Sequence, residues 1–352
     1  IDLKRMMITV VIAMIPCLLF GIYNTGHQHF LATGQTAGVW EDFGPKFLLG
    51  LQLVLPIVIV AYAAGGLVEG AFAVIRKHPL NEGFLVTGML IPLVVPATIP
   101  LWQVALATIF AVVIAKEVFG GTGMNVLNVA MTARAFLYFA YPAQISGDLV
   151  WTYLGDKAPV DGFSGATALS VAYNASVDEQ PVTEALAYHN TVMGDGLYSF
   201  SNMFMGWIPG SIGETSTLMC LIGALILIGT GVASWKIIVS GFAGAYIMGL
   251  IMNLFAVNTY MEWAPEYHWV VGGLAFGIVF MATDPVSAAQ TETGKWIYGL
   301  LIGFLTVIIR VTNPAYPEVI MLAVLFLHVF APLIDYYVVK ANKNRRLQRA
   351  TV

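Results

Sequence analysis

The sequence predicts an all-α polytopic membrane protein, and three observations carry that prediction. Of 352 residues, 58% are hydrophobic and only 10% charged, and the mean hydropathy is +0.79. A soluble domain carries roughly 25% charged residues. The apolar runs reach the length of about 20 residues that a helix needs to cross a bilayer. They are continuous rather than alternating, which rejects a β-barrel.

About ten such runs are read as transmembrane helices, over residues 6–23, 47–75, 84–99, 102–115, 124–141, 215–235, 237–256, 268–283, 296–309 and 319–339. Lys4-Arg5 leads straight into the first, so no cleavable signal peptide is expected. Five spans per half make two inverted five-helix halves, as in inverted-repeat transporters. Residues 1–141 form the first half, 142–214 an outer-side loop segment, and 215–352 the second half with a basic tail. Spans 3 and 8 occupy matching positions and are both predicted to break, at Pro92 and Pro96 and at Thr283-Asp284-Pro285. Matching broken helices point to a site in such folds; the competing reading is that proline merely kinks a packed helix.

Charge sets the orientation. With the N-terminus in the cytoplasm, twelve basic residues fall inside and three (Lys46, Lys157 and Arg310) outside, with Arg134 within span 5. That bias places both termini in the cytoplasm and residues 143–214 on the outer side. This segment is acidic, with Asp148, Asp156, Asp161, Asp178, Glu179, Glu184, Asp195 and Glu214. Cys17 and Cys220 each sit in an apolar run and cannot hold an iron–sulfur cluster alone. No zinc or cytochrome motif occurs, and neither a transition-metal site nor a nucleic-acid partner is expected.

Within the outer segment, Asp161-Gly162-Phe163-Ser164-Gly165-Ala166-Thr167 reads as a turn. Small residues at Ser164, Gly165 and Ala166 are expected to leave the Thr167 hydroxyl unshielded for modification; a plain surface turn is the bland alternative. Gly120-Gly121-Thr122-Gly123-Met124-Asn125, followed by Asn128, sits at a helix start. Asn125 and Asn128 share a face and suit a flat heterocycle with mixed donors and acceptors, against a reading as tight helix packing. Four ionisable residues lie within or at the ends of spans: Arg134, Glu69 just after Gly65-Gly66, Asp284 and Asp335. Such groups are functional hypotheses for ion passage or ligand contact, with interfacial snorkelling the alternative for Asp335. Arg134 is expected to meet an acid, a helix end or a cofactor. Gly213-Glu214-Thr215-Ser216-Thr217 opens span 6, where its hydroxyls are expected to cap the helix.

These motifs together resemble the NqrB family, membrane components of the sodium-translocating NADH:quinone oxidoreductase, and, more distantly, RnfD of the Rnf electron-transport complex. Ser164-Gly165-Ala166-Thr167 is the most specific element, and the likeness spans essentially the chain apart from an N-terminal extension expected in the family. Val129 departs from it, standing where relatives are expected to carry proline. The resemblance implies FMN joined to Thr167 by a phosphoester, with Asp161, Ser164, Gly165, Ala166, Glu214 and Thr215 around it. It implies non-covalent riboflavin, placed at Gly120, Gly121, Asn125 and Asn128. It implies a site for ubiquinone without fixing it; the helix-face groove at Gly65 and Gly66, with Glu69 beside it, is the expected position. The carboxylates Asp284, Asp335 and Glu69 are the expected sodium path. Trp151, Tyr153 and Phe163 are expected to pack on a flavin ring. Partner subunits would carry FAD, iron–sulfur centres and a second covalent FMN, in a bacterial inner membrane with Thr167 periplasmic. The activity implied is that of an NADH:ubiquinone reductase (Na+-transporting) exporting Na+. An inverted-repeat ion or solute channel, a membrane anchor for redox partners, and the Rnf component itself are the other readings.

Overall fold

In a computed structural model, residues 3–35, 38–77, 83–193, 196–313 and 319–350 are described, and every regular element among them is helical. The helices are α1 (Leu3–Ala32), α2 (Phe43–Arg76), α3 (Gly83–Leu93), α4 (Leu101–Ala111), α5 (Val129–Ala140), α6 (Pro142–Ile145), α7 (Ala168–Val177) and α8 (Val182–Met193). They continue as α9 (Phe200–Met205), α10 (Thr217–Gly229), α11 (Trp235–Leu254), α12 (Tyr267–Val270), α13 (Leu274–Phe276), α14 (Glu292–Thr312) and α15 (Ile320–Ala350). Wide π turns extend α4 over Val112–Glu117 and α13 over Gly277–Met281. The chain is a polytopic membrane protein: α1, α2, α11, α14 and α15 are long and apolar enough to cross a bilayer, and α3, α5 and α10 are shorter apolar helices.

Both spans break, span 3 ahead of Pro96 but not at Pro92, which lies inside α3, and the freed carbonyls of span 3 find partners. The helix of span 3 ends at Leu93 rather than at residue 99, because the residues before Pro96 and Pro100 are pushed out of the helical region. The freed carbonyls of Leu93 and Val95 accept hydrogen bonds from Gly213 (2.7 Å) and Ile212 (3.2 Å), just ahead of α10. Span 8 is broken twice, between α12 and α13 and again at Thr283-Asp284-Pro285. Helix α15 extends well past residue 339 into the basic tail, where Lys, Arg, Ala and Leu are good helix formers.

Small residues let the bundle close. A Cβ on Gly303 of α14 would lie 2.2 Å from the Gly241 carbonyl of α11, so only glycine fits where these helices touch. The outer segment, read as a loop, is instead a folded cap. Apolar residues of α7, α8 and α9 build a second core with Tyr260, Trp263, Val270 and Val271 from the connection before α13.

Candidate functional site

Two sites lie at opposite ends of the bundle, called outer and inner after the orientation expected from the charges, and α1 measures their separation. Its first turns (Met6, Met7 and Val10) line an inner cleft, whereas Asn24 further along donates to the Ile208 carbonyl beside an outer cavity, at 3.0 Å. From Met7 to Asn24, at about 1.5 Å per residue, the distance is roughly 25 Å.

The outer cavity holds about 320 Å³ and is lined by Trp151, Thr167, Tyr173, Glu214, Thr215 and Gly272 among others. Thr167 is the N-cap of α7: its backbone is extended (φ −76°, ψ 160°) and its hydroxyl oxygen accepts from the Ser170 amide at 3.3 Å. The hydroxyl is therefore half-buried and directed by a helix, not unshielded on a loose turn. Helix α7 begins at the next residue, and that is the reason. The preceding loop is held from three sides. The Ser164 hydroxyl lies 3.1 Å from His189 Nε2 of α8, and the Tyr198 hydroxyl donates to the Ala166 carbonyl. Gly165 has φ +65°, and a Cβ there would stand 2.6 Å from the Asp148 carbonyl. Asp148 in turn accepts from the Ser170 hydroxyl at 2.9 Å. Burial lowers the His189 pKa, opposed by the nearby Asp148 carboxylate, while burial pushes the Tyr198 phenol up.

Arg134 meets the acidic partner its depth demands. It forms a buried ion pair with Glu214 and donates to the Ser211 hydroxyl at 3.2 Å. Ser216 caps α10 by accepting from the Met219 amide at 3.3 Å, as the Thr/Ser cluster predicts. Thr215 does not cap; its buried hydroxyl lines the cavity without a partner. Of the three aromatics expected around a ring, Trp151 lines the cavity. Tyr153 instead packs on His29 with centroids 5.7 Å apart, and Phe163 packs against the outer core. Asp161 sits on an exposed turn outside the lining. Sequence reading missed the cavity lining by Tyr138 and Tyr173 and the contribution of Val270 to Gly273. Nothing local marks residues so distant in the chain as neighbours.

The inner cleft is tighter, about 80 Å³, and is lined by Met7, Lys116, Asn125, Asn128, Thr283 and Asp284 among others. Asn128 is the N-cap of α5, accepting from the Met131 amide at 3.1 Å, so Val129 occupies the first helical position where proline is also favoured. The Asn125 and Asn128 side chains lie beside the Asp284 carboxylate. Asp284 also accepts from the Val286 amide and the Ser287 hydroxyl, each at 3.0 Å. Ser287 lies 3.3 Å from His328 Nε2, and His328 Nδ1 accepts from the Asn128 amide at 3.3 Å. Asn128, expected at riboflavin, and Asp284, expected on the sodium path, therefore share one polar network through Ser287 and His328. Gly120 and Gly121 lie on the loop leading in, outside the lining, where Thr122 and Gly123 stand instead.

The remaining expected residues stand apart. Glu69 is buried against the Lys116 ammonium, which also lies 6.0 Å from the Phe84 ring centre. A Cβ on Gly65 would meet that ring at 2.3 Å, so Phe84 fills the Gly65 side of the expected groove, while Gly66 stays half-buried with the ring 3.8 Å away. Asp335 caps the start of α14, accepting from the Gln290 amide (2.7 Å), the Thr291 amide (3.0 Å) and the Thr291 hydroxyl (2.5 Å).

A family model described as the NQR2, RnfD, RnfE family matches residues 1–344. The chain belongs to that family. It is similar to proteins named as the NqrB component of Na(+)-translocating NADH-quinone reductase. The one from Stutzerimonas stutzeri is 48% identical over 370 residues, covering 99% of this chain and 87% of the relative. Those from Chromohalobacter salexigens and Yersinia pestis are also 48% identical, with 99% of this chain and 85% and 87% of the relatives covered. Both ends of this NQR2, RnfD, RnfE family chain thus carry a polar site at the end of a short or broken helix.

Proposed function

We propose that the chain is the membrane subunit of a redox-driven sodium pump, an NADH:ubiquinone reductase that exports Na+ across a bacterial inner membrane. In this reading Thr167 carries FMN on the periplasmic side and the inner cleft holds riboflavin on the cytoplasmic side. The partner subunits carry FAD, iron–sulfur centres and a second covalent FMN, and electrons reach ubiquinone. The names of the relatives support the pump. The observation that carries the flavin assignment is Thr167 at the N-terminus of α7, on the wall of a cavity of ligand size.

The residues fit the group. The unpartnered Thr215 hydroxyl offers a hydrogen bond inside the cavity, and Trp151 and Tyr173 offer aromatic surface. A phosphoester on the Thr167 oxygen places an anion where the peptide dipoles of α7 favour one. When bound, the flavin supplies the redox chemistry. The chain orients it and excludes bulk water, and Arg134, neutralised by Glu214, anchors the floor.

At the inner end, the amides of Asn125 and Asn128 suit the polar edge of a second flavin, and Asp284 suits Na+. Carboxylate oxygens beside backbone freed by a broken helix are ligands for a small hard cation. Glu69 and Asp335 complete the charge pathway in this reading, and Gly66 with Glu69 marks the quinone position. Gly66→Leu is expected to raise the quinone KM with both flavins retained; an unchanged KM would count against that location. The decisive experiment is in-gel ultraviolet fluorescence of the denatured protein. The wild type should fluoresce and Thr167→Ala should not, with both inserted in the membrane. A dark wild-type band would remove the attachment and restore the channel reading.

A further inference from the structure

Arg310, in the last turn of α14, is fully buried, yet its hydrogen bonds go only to neutral acceptors. One terminal nitrogen donates to the His268 carbonyl at 3.2 Å and lies 3.3 Å from His268 Nδ1; the other donates to the Val271 carbonyl at 3.1 Å. Its Nε has no partner, and no carboxylate stands within ion-pair distance of it among the described residues. The other deeply buried guanidinium, Arg134, is neutralised by Glu214. A bare cation so far from water is costly unless an anion faces it.

The place where an anion would face it is the outer cavity. Val271, Gly272 and Gly273 form part of its wall, and the Arg310 guanidinium lies directly behind Gly272. A Cβ at Gly272 would sit 2.8 Å from Arg310 Nη2 and 2.4 Å from Leu169, which follows Thr167 by two residues on α7. Gly272 also has φ +63°, a conformation that glycine adopts freely and other residues do not, so a side chain is disfavoured between Arg310 and the cavity. The cavity carboxylates are already engaged, Glu214 by Arg134 and Asp148 by the Ser170 hydroxyl. Of the two buried guanidiniums beside this cavity, Arg134 is paired with Glu214, which leaves Arg310 as the cation behind the Gly272 wall.

We propose that Arg310 is the fixed countercharge for the flavin in the outer cavity, favouring the state in which its ring has gained an electron delivered from NADH through the partner subunits. The inference rests on flavin attachment at Thr167. It acts through the field across Gly272, not through contact, and the field of a buried unit charge in an effective dielectric near 20 is strong enough for an effect of the size below.

The test uses the purified complex, with attachment verified by in-gel fluorescence and the potential of the covalent flavin measured by spectroelectrochemical titration. Arg310→Met keeps bulk and removes charge; it should disfavour one-electron reduction about tenfold, a shift of 59 mV to lower potential. Arg310→Lys keeps the charge and should stay within about threefold of wild type. An unchanged potential in fluorescent Arg310→Met overturns the proposal, as does an equal shift in Arg310→Lys. Glu318→Gln probes for a carboxylate outside the described residues; the same shift there would also overturn it. Should Arg310→Met accumulate poorly, thermal unfolding of Arg310→Gln settles the matter. Its loss of stability should be larger in flavin-bearing protein than in a Thr167→Ala background, and equal losses overturn the proposal. A dark wild-type band removes the attachment reading instead, and this proposal with it.

Discussion

The outer cavity and the inner cleft are built on the same principle and differ in what fills them. Each lies at the end of a short helix where backbone groups are released, and each has a capped helix start on its wall: Thr167 for α7, Asn128 for α5. The outer cavity is wide, about 320 Å³ against about 80 Å³ for the cleft. Its loop is pinned from outside by His189 and Tyr198, which leaves its interior open to a large group. In the cleft the polar groups are tied to one another, through Asp284, Ser287, His328 and the Asn128 backbone. A site organised in that way couples its occupants, because removing one member releases several hydrogen bonds at once.

The comparison breaks most sharply at the two caps. Thr167→Ala should abolish covalent flavin completely and leave extractable riboflavin unchanged. Asn128→Leu should do the reverse, removing the cap of α5 at about 1 kcal/mol and most of the riboflavin while in-gel fluorescence persists. If either substitution emptied both sites, the two ends would not be independent.

Next in size is Asp284→Asn, which keeps shape and removes charge. The Na+ concentration for half-maximal quinone reduction should rise about tenfold, near the 1.4 kcal/mol that one decade represents. Because the carboxylate lies beside Asn125 and Asn128 in the same cleft, riboflavin content should fall with it. A changed Na+ dependence with full riboflavin would separate the two functions of the cleft.

Gly165→Ala sharpens the outer side. It combines a positive φ with a Cβ held 2.6 Å from the Asp148 carbonyl, and should destabilise the loop by about 1–3 kcal/mol. Reduced fluorescence with riboflavin unaffected is the expected pattern. Asp335→Asn should have a smaller effect on Na+ dependence than Asp284→Asn. The Thr291 and Gln290 groups it holds start α14, so its main expression should be a lower unfolding temperature.

The smallest effect is that of pH on the outer loop. His189 has its pKa lowered by burial, so the unfolded chain takes up a proton before the folded one does. The stability it contributes is present above the ordinary histidine pKa of about 6.5 and is lost as pH falls below it. Limited proteolysis of the outer segment should accelerate below that pH in wild type and change less in His189→Gln.

Much of this was legible in the chain. Apolar run length and continuity gave the helical membrane class, because a bilayer satisfies no backbone polar group and leaves few alternatives. Proline positions gave both breaks, and the hydroxyl cluster before α10 gave its cap, because these rest on covalent and local constraints. Arg134 signalled a partner through its depth alone. What the chain alone did not show is that residues 142–214 fold as a cap, since its core borrows Tyr260, Trp263, Val270 and Val271 from a distant connection. Nor did it show that Phe84 fills the Gly65 side of α2, that Asn125 and Asn128 meet Asp284, or that Arg310 stands behind Gly272. Sequence by itself determined the helical membrane class, the Pro96 and Pro285 breaks and the Ser216 cap, since those depend on a few consecutive residues. Which polar groups share a site was decided only by the tertiary packing, because each such pair joins residues far apart in the chain, and no local pattern encodes their contact.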